Sequence, residues 1–181
     1  MKTDFNWGDD IIDSRDIITR HEELQDEYNS LVEALEEAKG DLDDFLREND
    51  TDPDSKDEDD DSVAFIRRRL NELHEVVEEA QEALDQFNQS FDKDELDLLT
   101  EVISQGEDSP DWSYGEGLIH ESYFTEYAEQ LANDVCEFPK EFQSGQWPFN
   151  HMKIDWESAA QELQSDYFDI SAGGETYWIR V

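Results

Sequence analysis

Residues 17–48 read IITRHEELQDEYNSLVEALEEAKGDLDDFLRE. One seam runs through them at alternating steps of four and three: Ile17, His21, Leu24, Tyr28, Leu31, Leu35, Ala38, Leu42 and Phe45. Residues 66–91, IRRRLNELHEVVEEAQEALDQFNQSF, repeat the spacing with Ile66, Leu70, Leu73, Val77, Ala80, Leu84, Phe87 and Phe91. A seam of this period keeps one side of a helix turned toward a partner helix for several turns. Val32, Ala34 and Leu46 flank the first seam and widen it beyond a strict two-stranded coil, which favours a bundle or a dimer of hairpins. Asp13 or Ser14 is placed to cap the first helix, which the pattern carries to about Glu48.

The remaining faces are acidic. Glu22, Glu23, Asp26, Glu33, Glu36, Glu37, Asp43 and Asp44 line the outside of the first helix, and Glu72, Glu75, Glu78, Glu79, Glu82 and Asp85 that of the second. The chain of 181 residues holds 51 Asp+Glu against 13 Lys+Arg, a formal charge of −38. Self-repulsion at that charge destabilises a compact state, so something other than folding stability retains it. It argues against nucleic acid and anionic membrane as direct partners and for a basic protein, including one whose groove normally holds DNA. Low hydrophobicity with high charge is also the signature of disorder, but the apolar residues are periodic and Phe, Trp and Tyr make up 12% of the chain. Adaptation to high salt explains the pattern less well, because the acids are arrayed on helix faces and in one run.

Residues 13–97 contain 31 acids and 9 bases, a net of −22. A helix from residue 14 to 48 is about 52 Å long, which sets roughly one charge per 2.4 Å against about 1.7 Å for duplex DNA. The expectation is a rod with a polyanionic skin in which each carboxylate replaces a phosphate opposite a Lys or Arg of the target.

Between the helices, residues 49–62 read NDTDPDSKDEDDDS, an acidic connector in which Pro53 ends the helix. Its run Asp57, Glu58, Asp59, Asp60, Asp61 is expected to be a secondary contact with the target. Asp50, Asp52 and Asp54 resemble the opening of a calcium-binding loop, but Ser55 stands where the glycine belongs, Pro53 intrudes and Asp61 replaces the closing Glu. Arg67, Arg68 and Arg69 open the second helix, where they oppose its dipole and call for a clamp by residues 57–61.

A third helix is expected over Lys93–Ser104, with Leu96, Leu99 and Ile103 on one face. Residues 106–117 read as a loop. Glu121 to about Cys136 reads as a helix burying Phe124, Tyr127, Leu131 and Val135, and Asp155 as the cap of a short helix presenting Trp156, Ala160 and Leu163. The end reads as a hairpin, Tyr167–Ser171 and Thr176–Val181 about a Gly173-Gly174 turn. At the other end, Phe5, Trp7, Ile11 and Ile12 can pack back on the body. The fold class is thus mostly α: a long acidic antiparallel helical hairpin (residues 1–106) and a small C-terminal α+β unit (107–181) ending in a β-hairpin.

No signature of chemistry emerges. His21, His74, His120, His151 and Cys136 lack metal-ligand spacing, and there is no phosphate loop, nucleophile elbow or HExxH pattern. No enzyme activity, metal or cofactor is expected. The tryptophans and tyrosines are assigned to packing, since base-stacking platforms work inside positively charged grooves. A single cysteine excludes an internal disulfide, and the N-terminus lacks an apolar signal region, which together predict a soluble protein of a reducing cytoplasm.

The stretch DWSYGEGLIHESYFTEYAEQLAND (111–134), with WPFN (147–150) and IDWESAAQELQSDYFDISAGGETYWIRV (154–181), resembles the C-terminal region of ArdA-like antirestriction proteins, small proteins of phages and mobile elements. The matching positions are Tyr123, Phe124, Tyr127, Ala128, Leu131, Ile154, Asp155, Trp156, Ala159, Ala160, Asp166, Tyr167, Gly174, Tyr177 and Arg180. IIDSRDIITRHEEL (11–24) is similar to the opening of phage-borne members that join a helical front to this ending. In place of the front α/β domains of ArdA stands the helical hairpin. The resemblance implies a homodimeric DNA mimic that blocks type I restriction–modification enzymes in the host cytoplasm. An anti-CRISPR protein blocking target-DNA binding is the first alternative, and an acidic coiled-coil scaffold is the second.

Overall fold

The structure is a computed structural model that describes residues 5–49, 61–140 and 145–181, the side chains of residues 61 and 62 excepted. It is mostly helical, with six α-helices among the described residues and a four-stranded antiparallel sheet. In chain order these are β1 (Ile11–Asp13), α1 (Ser14–Glu48), α2 (Asp61–Asn88), α3 (Phe91–Gly106), α4 (Trp112–Gly115), β2 (Gly117–His120), α5 (Phe124–Val135), α6 (Trp156–Leu163), β3 (Tyr167–Ala172) and β4 (Glu175–Arg180). No described helix is long and apolar enough to cross a membrane.

Two compact units divide the chain: Met1–His21 with Leu98–Val181, and Glu22–Asp97. In the second, the heptad seams face inward. Leu24, Leu35 and Ala38 of α1 and Leu73 and Phe87 of α2 are buried, the other seam residues from Tyr28 to Leu84 are partly so, and the Tyr28 ring lies 5.7 Å from that of Phe87. The second seam stops one step early, because Phe91 is 90% exposed. The Ser90 N–H and hydroxyl both donate to the Phe87 carbonyl, a turn that ends α2 and releases Phe91 to begin α3.

α2 also starts earlier than the sequence indicated, at Asp61, so the three arginines lie in its second and third turns and do not oppose unsatisfied N–H groups at the helix start. Among the described side chains, Arg68 and Arg69 pair with Glu72 one turn on, at 3.6 and 3.2 Å. The expected clamp by residues 57–61, like the calcium-loop positions Asp50, Asp52 and Asp54, falls outside what the structure describes.

The other unit is built on the sheet, in strand order β1-β2-β4-β3. The hairpin β3–β4 has the expected turn, with φ of +61° and +85° at Gly173 and Gly174, a region that L side chains rarely adopt. Its neighbours were not foreseen: Ile11, Ile12 and Asp13 pair with Ile119, Leu118 and Gly117, and Ile119 and His120 pair with Trp178 and Tyr177. Successive strand residues face opposite ways, and both faces are covered. On one, Phe124 and Ala128 of α5 and Ala160 of α6 meet Ile119 and Tyr167. On the other, Trp7 stands edge-on to Tyr177, whose hydroxyl accepts the Gly8 N–H at 2.7 Å. α5 departs from expectation at its last turn, where Val135 is 70% exposed rather than buried.

Candidate functional site

The acids assigned to the outer faces of the long helices are where the heptad register puts them. Glu22, Asp26, Glu33, Glu36, Glu37, Asp43 and Asp44 on α1 and Glu72, Glu75, Glu78, Glu79, Glu82 and Asp85 on α2 are exposed, whereas Glu23 is half-buried. Several have local partners. Asp44 pairs with Arg47 at 2.7 Å, Glu72 with the two arginines, and Asp85 accepts from the Gln81 amide at 3.0 Å. Asp57, Glu58, Asp59 and Asp60 lie outside the described residues, and so does the side chain of Asp61.

The helices carry less of the charge than the whole 13–97 stretch does. α1 has 12 acids and 4 Lys+Arg, and α2 has 7 and 3, a net of −12. Over about 52 Å that is roughly one charge per 4 Å, well below duplex DNA. The rest of the −22 belongs to Asp13 and to residues 49–60 and 89–97.

Within the helices, however, the charge is not uniform. From residue 22 to 37, α1 has seven acids and no Lys or Arg, and from 75 to 85 α2 has five and none. The Tyr28–Phe87 contact between the antiparallel helices sets these stretches beside each other. Together they occupy about 27 Å of axis, a window that also takes in Lys39, so twelve carboxylates and one cation give roughly one net charge per 2.5 Å, against about 1.7 Å for the duplex. This belt of two cation-free runs is the best-formed anionic feature among the described residues. It includes the exposed Glu27, which the heptad reading passed over although it stands in the same run.

Two polar arrangements in the sheet unit are structural. His120 takes the Ser122 N–H on Nδ1 at 3.2 Å, with the Ser122 hydroxyl 2.8 Å away, and its Nε2 lies 3.2 Å from Glu175. The backbone donor on Nδ1 makes the imidazole a cap for the turn leading into α5. Asp155 caps α6 as expected, accepting from the Ser158 N–H and hydroxyl at 3.1 and 2.9 Å. The backbone N–H, then the hydroxyl, hold its carboxyl below the ordinary value. A cleft of about 770 Å³ beside these groups is lined by Glu126, Glu129, Asp155 and Glu157, again of one sign. No group of three His, Cys, Asp or Glu side chains among the described residues is arranged to hold a metal ion. No family model, curated protein or solved structure matches the chain.

Proposed function

We propose that the protein is a non-enzymatic DNA mimic that inhibits a host DNA-binding defence system by occupying its DNA groove. The observation behind this reading is the belt, two cation-free runs whose twelve carboxylates lie on adjacent helix faces at a linear density approaching that of duplex phosphate. A protein that takes its non-specific affinity from phosphate neutralisation meets the same field there. The ArdA-like ending directs the proposal to type I restriction–modification enzymes and to a homodimeric active form. The test is capture of the tagged protein's partners from host lysate, followed by elution with duplex DNA. Mimicry expects a basic DNA-binding complex that the duplex releases; partners that withstand excess duplex would rule it out. Release of a CRISPR effector instead of a restriction enzyme would keep the mechanism and change the target.

The scaffold reading keeps one observation of its own: Phe65 and Val76 on α2 and Leu46 on α1 are about half exposed, apolar side chains available to a further helix. Salt separates the two. Charge-driven binding falls steeply with ionic strength, and apolar docking changes little.

A further inference from the structure

We propose that the groove between α5 and α6 is a docking site for a short amphipathic helix with a basic flank, supplied by a partner protein. The inference stands apart from mimicry, because it concerns apolar burial on the sheet unit. Two adjoining cavities of about 220 and 250 Å³ share Leu131, Val135 and Leu163 as walls. Ala128, Ala132, Cys136, Trp156 and Ala159 complete the first, which presents almost no polar surface. Val135 follows Ala128 and Leu131 on the stripe that faces the core, yet it is left 70% exposed. On α6, Trp156, Ala159 and Leu163 repeat a spacing of three and four. Two helices side by side in this way leave a furrow into which the ridge of a third can pack. From Ala128 to Val135 it is about 10 Å long, enough for apolar residues on two successive turns.

Charge selects the occupant. Asp134 and Glu162, each beside a groove residue in sequence, are exposed, and Asp166 lines the second cavity. Lys or Arg beside the apolar stripe of the incoming helix would meet them, whereas a second copy of a −38 chain would not. Among the described residues Arg180 is the one cation lining either cavity, next to Tyr127 and Tyr167, whose hydroxyls are 3.0 Å apart. The open carbonyls at a helix C-terminus suit that end, so the docked helix runs with its C-terminus toward Arg180.

The probe is a labelled 14-residue Leu/Lys peptide with leucines at i, i+3, i+4 and i+7. Its control has the same composition, with the leucines distributed all round the helix. Fluorescence anisotropy is read at high salt, where long-range attraction is screened. The patterned peptide is expected to bind about tenfold or more tightly than the control. V135D with A159E should abolish the difference while circular dichroism stays native, and charge reversal at Glu36 and Glu37 should leave it intact. Equal binding of both peptides, or a preference that survives V135D/A159E, overturns the proposal. If V135D alone turns a wild-type dimer into a monomer in sedimentation, the groove belongs to a second copy and the proposal fails.

Discussion

Ser14 has the capping chemistry that the sequence advertises but uses it across the fold. It is fully buried. Its hydroxyl donates to the Trp112 carbonyl at 2.6 Å and accepts the Glu116 N–H at 2.8 Å, while its own N–H donates to the Glu116 carbonyl. Asp13 does the capping, through the Arg15 N–H at 2.9 Å. Ser14→Ala leaves the Glu116 N–H without its acceptor and is expected to cost about 1–3 kcal/mol in urea unfolding, with the slope unchanged. The hydrogen bond from the Arg15 side chain holds the Asp13 carboxyl below its ordinary value; burial opposes it, and the Arg15 backbone N–H and charge add to the lowering. A lowered folded pKa gives stability that is present above the unfolded pKa and lost as pH falls through the folded one. Asp13→Asn should therefore flatten the acid limb of the stability curve. Glu116 has the opposite sign, since burial, and then Asp111, push its carboxyl up. Its contribution is full below the unfolded pKa and disappears as pH rises through the folded one. Glu116→Gln should be more stable than wild type at neutral pH, with a gain that vanishes in acid; a gain independent of pH would mean that relief of net charge, not burial, is responsible.

Helices α1 and α3 each contain a glycine, and their surroundings give substitutions there opposite signs. Gly40 lies inside α1 with nothing within 4 Å of an added Cβ, so Gly40→Ala should stabilise by about 0.5–1 kcal/mol and raise the melting temperature. Gly106 closes α3 against Trp112, whose ring atoms would stand 2.4 to 2.5 Å from an added Cβ. Trp112 is buried, so Gly106→Ala should lower the melting temperature. If both move the same way, helix propensity dominates and the close approach to Trp112 is immaterial. The legibility of the elements follows the same local physics. α1 could be read from residue 14 to 48 because nine seam positions repeat one period, and α6 and the final hairpin because Asp155 and Gly173-Gly174 mark them. β1 and β2 could not, since IID and GLIH are too short to show alternation and become strands only by pairing with segments more than 50 residues away. The start of α2 was hidden because Asp61 and Ser62 end a run whose composition reads as loop. Val135 was misplaced because periodicity says which side of a helix is apolar but not where the covering element ends. Of the candidate site, the exposure of the acids was legible from heptad register, whereas the juxtaposition of the two cation-free runs emerges only once α1 and α2 are laid beside each other.

At the scale of the whole molecule, the net charge of −38 has two possible meanings that the belt separates. If charge acts only in bulk, as solubility or long-range steering, then any three exposed acids are equivalent, because at distances beyond a Debye length of about 8 Å the field does not register which ones are changed. If the protein stands in for a duplex, position matters, since each carboxylate must face a cation of the target at close range. α1 carries both cases on one helix. Glu33, Glu36 and Glu37 belong to the cation-free run of α1, while Asp41, Asp43 and Asp44 lie between Lys39 and Arg47. All six are exposed, so reversing either triple to Lys changes the net charge equally and disturbs no core contact. Mimicry expects the belt triple to weaken inhibition of the target by about tenfold or more and to flatten its salt dependence, and the flanking triple to do markedly less. Inhibition assays over a salt series, with circular dichroism to confirm that both variants stay helical, decide between them: equal losses would leave the charge as a bulk property, and no loss from the belt triple would remove the belt from the interface.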